Sequence, residues 1–218
     1  MYKINGTCVT AGFMVLGPIQ NNVYFITDGA ATFVVDPTCD PDALVEALGG
    51  VKLDAIVITH RHYDHIGAAA RLAQRTGATV IASEIDAPYI AGELPDPDGH
   101  PGSDPCPVDQ RVSDGDVVQL GGMAWRVIST PGHTPGSMCL FLDPRFGSDA
   151  AGAPLLISGD TLFCGSIGRT DFAGGSMDDM RHSLKKLATL PDNTIVLPGH
   201  NDLTTIAAER ERTFAYYA

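Results

Sequence analysis

The six residues His60-Arg61-His62-Tyr63-Asp64-His65 offer four side chains of metal-ligand type. In an extended segment, residues two apart project to the same side, so His60 and His62 can face one ion together. A turn into a following helix then aims Asp64 and His65 elsewhere, toward a second position nearby. The pattern differs from HExxH, in which two histidines share one helical face. Four ligands cannot close two coordination spheres, so the rest must come from distant parts of the chain. Three short turns supply candidates: His133 in Thr130-Pro131-Gly132-His133-Thr134-Pro135-Gly136, Asp160 in Ser158-Gly159-Asp160-Thr161, and His200 in Leu197-Pro198-Gly199-His200. Each sets one ligand-type residue beside a glycine, which permits the close backbone approach of a crowded turn. Any one of these histidines alone reads as a core or solvated residue. The ordered set is what points to metal.

Each ligand must then stand at a strand end. Residues 53–59 form a short, apolar, β-branched run of the kind a buried strand shows, and it delivers the chain into His60. Strands at 124–129, 155–158 and 194–197 precede His133, Asp160 and His200 in the same way. Further strands are expected at 9–16, 22–26, 31–35, 78–82, 117–120 and 138–142, with turns at Thr27-Asp28-Gly29-Ala30 and Gly121-Gly122. Asp40 followed by Pro41 opens a helix striped by Leu44, Val45 and Leu48 and closed by Gly49-Gly50. Ile66, Ala69, Ala70 and Ala73 recur at helical spacing until Gly77. Ser176 opens a helix whose Met177, Met180, Leu184 and Leu187 face inward, with Lys185 and Lys186 near its C-terminal end, where the dipole favours cations. A closing helix runs from residue 203. Residues 91–110 carry Pro, Asp and Gly without periodicity and form a long loop of the functional kind. A second soft insertion rich in Ala, Gly, Pro and Asp separates the strands at 138–142 and 155–158. Nothing resembles a linker, so residues 1–218 read as one α/β domain.

HxHxDH, a His in PGHTPGS, an Asp in GDT and a His in PGH together resemble the metallo-β-lactamase-fold ligand series. The segment Gly159–Ser176 (GDTLFCGSIGRTDFAGGS), with the Thr-Thr-Ile and acidic tail, is similar to the short glyoxalase II-like subfamily. The resemblance covers roughly residues 17–212. It implies a four-layer αββα sandwich with the site between the ends of two central sheets. It also implies that His60, His62 and His133 bind one metal, that Asp64, His65 and His200 bind a second, and that Asp160 bridges both. Two divalent ions are expected, zinc first, with iron or manganese also suited to nitrogen and oxygen ligands without thiolate.

Two metals about 3.5–4 Å apart share and deprotonate a water near neutral pH, so a metal-bridging hydroxide is the expected nucleophile. Asp64 or Asp160 would take its proton. The expected activity is that of a thioesterase acting on a small hydroxyacyl thioester, since a thiolate with conjugate-acid pKa of about 8.5 leaves without a general acid. Full-length glyoxalase II-type enzymes add a basic helical domain that grips glutathione. Here the sequence stops 18 residues after His200, and Gly199-His200-Asn201-Asp202-Leu203 stands where those enzymes resemble GHEYT. Both departures predict weak dependence on the tripeptide. The runner-up is a persulfide dioxygenase holding one iron through His60, His133 and Asp160, a facial triad. A lactonase, a true β-lactamase, an RNA-processing nuclease and a metal-free binding scaffold rank lower.

A formal net charge of −12 argues against nucleic acid and anionic lipid as partners. The first residues lack a basic and apolar leader, no stretch is long enough to span a membrane, and the five cysteines form no CxxC pair. A reducing, cytoplasmic setting is the expectation, with oligomeric state left open. His100 and His182 read as solvated, Tyr63 as a pocket wall or an exposed ring, and Arg169–Asp171 as a structural pair or a support for a ligand histidine. Cys164 is not a ligand.

Overall fold

The computed structural model describes residues 1–99, 103–144 and 152–218. His100 and most of the insertion before residue 155 lie outside the described residues. Strands β1 (Tyr2–Ile4), β2 (Thr10–Leu16), β3 (Asn21–Thr27), β4 (Thr32–Val35), β5 (Ala55–Ile58), β6 (Thr79–Ser83) and β7 (Gln110–Val112) pair in chain order. The pairs from β1 to β4 are antiparallel, and those from β4 to β7 are parallel. A second sheet contains β8 (Val117–Leu120), β9 (Met123–Ser129), β10 (Met138–Leu142) and β11 (Leu155–Gly159). A small hairpin of β12 (Leu162–Phe163) and β13 (Ser166–Ile167) follows, and β14 (Ile195–Pro198) and β15 (Thr204–Thr205) complete the second sheet in the order β15-β14-β11-β10-β9-β8.

Alternate side chains of these strands go to opposite faces, and both faces are buried. Tyr24 and Ile26 on β3, with Ala55 and Val57 on β5, meet Leu140, Leu155, Ile157 and Trp125 of the second sheet in the central core. Val23, Phe25, Ile56 and Ile58 face the other way, onto Leu44, Leu48 and Leu72 of the helices α1 (Pro41–Leu48) and α3 (Ala69–Thr76). Helix α5 (Met177–Leu187, with α2 and α4 described below) covers the far side of the second sheet through Met180, Leu184 and Leu187. Each of these three side chains is fully buried, worth about 1.5–3 kcal/mol apiece. The expected αββα order of layers is therefore the one observed.

Local signals set the helix ends. The Asp40 side chain accepts from Ala43 N, Ser176 accepts from Asp179 N, and Gly49 and Gly77 close α1 and α3 in the left-handed region. Several elements depart from the sequence expectation, among them the unanticipated β1 and the β12–β13 hairpin. The helix read from Ile66 to Gly77 is interrupted: α2 (Tyr63–Ile66) stops because Ala68 N donates to Pro37 O, and a side chain at Gly67 would strike Thr38 O. The long loop is preceded by α4 (Ala87–Ile90) and followed by β7. The closing helix begins later than expected, after β15, as α6 (Ile206–Glu209), a π-helical turn (Arg210–Phe214) and α7 (Ala215–Tyr217). Thr204 there pairs with Val196 at the sheet edge, and Thr205 caps α6 through Ala208 N.

The two sheets are stitched together along one edge. Thr59 O, just past β5, accepts from Met138 N at the start of β10 (3.0 Å), and Gly199 O accepts from Asn22 N of β3 (2.7 Å). That edge is where the ligand-type residues gather.

Candidate metal centre

His60 follows β5, and His62 stands in extended conformation directly before α2. His65 turns inward on α2, its amide donating to His62 O (2.9 Å). Asp160 and His200 follow β11 and β14, parallel neighbours that end at the same sheet edge. His133 lies in the turn after β9, where Gly132 packs so closely on Met180 that a side chain there would collide with the α5 backbone. Distant segments thus converge on one buried point.

Two groups of ring nitrogens and carboxylates result. His60, His62 and His133 form one, with His62 Nδ1 and His133 Nε2 2.8 Å apart. Asp64, His65 and His200 form the other, Asp64 Oδ2 lying 3.3 Å from the Nε2 atoms of both His65 and His200. Asp160 stands between them: Oδ2 is 3.6 Å from His133 Nε2 and 3.5 Å from His200 Nε2, while Oδ1 is 3.4 Å from His65 Nε2. All seven residues singled out from the sequence are brought together.

The donor set suits cations. Buried His60 Nε2 and Asp160 Oδ1 have no hydrogen-bond partner, which is costly unless a cation answers them. The outer nitrogens of the histidines are held by acceptors that fix which nitrogen faces inward. His65 Nδ1 meets Asp36 Oδ2 (2.9 Å), His133 Nδ1 meets Arg169 O (2.7 Å), and His200 Nδ1 meets Ile19 O (3.1 Å). Thr59 Oγ1 donates to Asp36 Oδ2, so it accepts from His60 Nδ1 (3.1 Å).

The two groups differ in charge. Burial, with the neighbouring imidazoles, pushes His60 well below the usual histidine range and brings His62 down to about 4; burial also lowers His133. Burial thus favours the neutral, lone-pair-donating form of all three. Burial works against charge on His65 as well, yet Asp160 and Asp36 raise it well above the ordinary value. His200 is raised by Asp64 and Asp160 against the same burial cost. Asp64 is held far below the usual carboxylate range, the hydrogen bonds of His200 and His65 outweighing burial; His65 lowers Asp160 likewise.

Several residues of the centre escaped sequence reasoning. Asp36, after β4, accepts from Thr59 N, Thr59 Oγ1 and His65 Nδ1; its place within reach of His60 and His65 makes it a buttress whose oxygens are already engaged. Asn21 is fully buried and donates to Asp64 Oδ2 (2.8 Å). Asp98, from the long loop, lies 3.5 Å from His62 Nε2 and accepts from Arg61 Nη2 (3.1 Å) and Ala173 N (2.7 Å). Buried Arg61 is also held by Asp86, whose Oδ2 takes the Arg61 amide. Only the loop's length and composition hinted at this role. Arg169 and Asp171 form the exposed pair, and it is the Arg169 carbonyl that supports His133. His182 is exposed, and Tyr63, 39% exposed, does line clefts.

Phe172 packs edge-on against His62 and His133 at 5.0 and 5.7 Å, and Phe163 against His200 at 6.0 Å. A cleft of about 440 Å³ opens beside Asp64 and Asn21, walled by Ile19, Tyr63 and Arg71. A second, of about 400 Å³, lies across Tyr63 toward Tyr89 and Leu94.

The model of the Metallo-beta-lactamase superfamily matches residues 16–200. The hydroxyacylglutathione hydrolase GloC of Haemophilus influenzae is 30% identical over 198 residues, spanning 88% of this chain and 90% of its own. Among solved structures, the B3 metallo-beta-lactamase BLEG-1 superposes with a TM-score of 0.80 at 31% identity, covering 94% of this chain and 98% of that one. TTHA1623 in a di-iron-bound form gives 0.74 at 32% identity, covering 92% and 98%.

Proposed function

The chain belongs to the Metallo-beta-lactamase superfamily, and we propose that it is a dinuclear metal-dependent hydrolase of small hydroxyacyl thioesters, of the glyoxalase II kind. The observation that carries this reading is Asp160, a single buried carboxylate within 3.6 Å of His133 on one side and of His65 and His200 on the other. On this reading His60, His62 and His133 hold one ion, Asp64, His65 and His200 the other, and Asp160 both. Zinc, iron and manganese all suit these donors. When bound, the two ions supply an acidified water and a Lewis-acidic contact for a carbonyl oxygen.

The chain's own residues supply the rest. Asp36, Arg169 O, Ile19 O and Asp98 fix the rings. Asp64 and Asp160 are the carboxylates nearest the two groups, and one of them takes up the proton during turnover on this reading. Phe163 and Phe172 shield the histidines from water. A thiolate leaving group, with conjugate-acid pKa of about 8.5, needs no further acid. The likeness to GloC supports the thioester class.

The test is metal analysis of the purified protein joined to a substrate screen. Two ions per chain and chelator-sensitive hydrolysis of a lactoyl thioester are expected. Turnover of a β-lactam alone would move the chain to the chemistry named for BLEG-1. One iron per chain with oxygen uptake on a persulfide would establish the dioxygenase instead.

A further inference from the structure

Asn21 opens β3 and is completely buried, an unusual site for a carboxamide with one oxygen unmatched. Its Nδ2 lies 2.8 Å from Asp64 Oδ2 and 3.4 Å from the Nε2 atoms of both His65 and His200. Those three atoms are themselves the second ligand group, with Asp64 Oδ2 3.3 Å from each ring nitrogen. Five of the six separations among these four atoms thus lie between 2.8 and 3.4 Å. Donors placed about 2.1 Å around one ion stand about 3.4 Å from each other. The Asn21 amide end occupies a corner of that figure.

The other end of the same amide supplies the second observation. Asn21 Oδ1 is buried and has no hydrogen-bond partner. A half-turn about the terminal torsion exchanges oxygen and nitrogen at nearly constant shape. In the orientation observed, the amide nitrogen donates to Asp64 Oδ2 and the oxygen is left unmatched. With a cation among Asp64, His65 and His200, an N–H directed at the ion is repelled and a carbonyl oxygen attracted. Turning the amide then breaks one hydrogen bond and gives the orphaned oxygen a partner. Backbone geometry holds the side chain in place: Asn21 bridges to His200, and the next amide, Asn22 N, donates to Gly199 O.

We propose that Asn21 is a ligand of the second metal position, contributing its carboxamide oxygen beside Asp64, His65, His200 and the shared Asp160. The inference rests on the two-metal reading above. It makes the second position richer in oxygen than the first, whose group is three imidazoles plus Asp160. Occupancy of the second position by an oxygen-preferring ion such as manganese follows.

The test is stepwise metal titration of the full-length protein with manganese and with cobalt, following cobalt absorption and competition with a chelator. Asn21→Ala should weaken the second ion at least tenfold and leave the first within twofold. Asn21→Asp keeps an oxygen at the same corner and should bind the second ion at least as tightly as wild type. Circular dichroism verifies that both variants are folded; Asn21→Asp carries the comparison should the alanine variant fail to fold, and second-ion binding weaker than wild type in it overturns the assignment. Two ions bound by Asn21→Ala with wild-type affinities overturn it as well. A wild-type protein that binds fewer than two ions refutes the two-metal reading itself, a distinct outcome.

Discussion

Asp36 Oδ2 lies 2.9 Å from His65 Nδ1 and, through Thr59 Oγ1, is one hydrogen bond removed from His60 Nδ1. One carboxylate therefore orients a histidine of each ligand group. Its backbone is in the left-handed region, φ 49°, a conformation that Asp tolerates better than most side chains. Asp36→Ala removes the partner of His65 and leaves the Thr59 amide unpaired. Loss of such an outer partner typically weakens metal binding 10–100-fold, and one orphaned buried donor costs about 1–3 kcal/mol. The expected result is weaker binding of the second ion and a lower unfolding midpoint. Unchanged chelator competition would show that the ring needs no buttress.

Asp160→Ala is expected to lose both ions' shared carboxylate and to abolish hydrolysis, because this one side chain reaches His133, His65 and His200 at once. His182→Ala is the control: its ring is exposed and bonds only its own helix, at Asp178 O. Near-wild-type turnover and metal content in Asp160→Ala would disprove the shared-ligand assignment.

How much of this was legible beforehand follows from how each residue announces itself. His133, Asp160 and His200 sit in short glycine-marked turns after apolar runs, and His60, His62, Asp64 and His65 crowd one segment, so their positions and spacing could be read directly. The layers could be read from the resemblance. Asp36, Asn21 and Asp98 are ordinary polar residues in sequence, and only tertiary proximity gives them roles. The break between α2 and α3 was missed for a similar reason. Alanine-rich periodicity favours a continuous helix, but the Pro37 carbonyl takes the Ala68 amide and holds the Asp36 loop against His65.

Gly199 offers a probe of the site that spares the core. A Cβ there would collide with Asp160 Oδ1 and with His65 Cε1, although Gly199 is not among the positive-φ residues. Gly199→Ala should therefore fold, since its backbone conformation suits alanine, while displacing Asp160 from its position between the two groups. A loss of metal binding of tenfold or more with a cooperative unfolding transition is expected. A variant that retains both ions would mean that the turn yields at little cost.

The thiols bear on whether the chemistry is covalent. Burial pushes Cys106 and Cys139 up to about 11, so both should resist a thiol reagent at pH 8 in the folded protein. Cys164 is half-buried, with Arg212 Nη1 3.9 Å from its sulfur. Cys164→Ser should keep metal-dependent hydrolysis within a few-fold of wild type. A drop of several orders of magnitude with the ions still bound would require a thiolate nucleophile.

The substrate's thiol portion should matter little. Among the described residues lining the two clefts, the arginines are Arg71 and Arg61, and each already faces an acid: Arg71 pairs with Asp104 at 3.0 Å, and Arg61 with Asp98 at 3.1 Å. Asp40, Glu93 and Asp96 line the same clefts. A tripeptide thiol with two carboxylates meets no uncommitted cation there, so its remote groups add little to transition-state stabilisation. The measurement compares kcat/KM for the lactoyl ester of glutathione with the same acyl group on N-acetylcysteamine. A ratio near unity is expected. Breaking the exposed Arg71–Asp104 pair costs at most about 1 kcal/mol, so Asp104→Asn, which frees Arg71, should raise the ratio only a few-fold. A wild-type preference for the glutathione ester beyond about a hundredfold, roughly 2.7 kcal/mol, would mean that these clefts grip the tripeptide by contacts other than paired arginines.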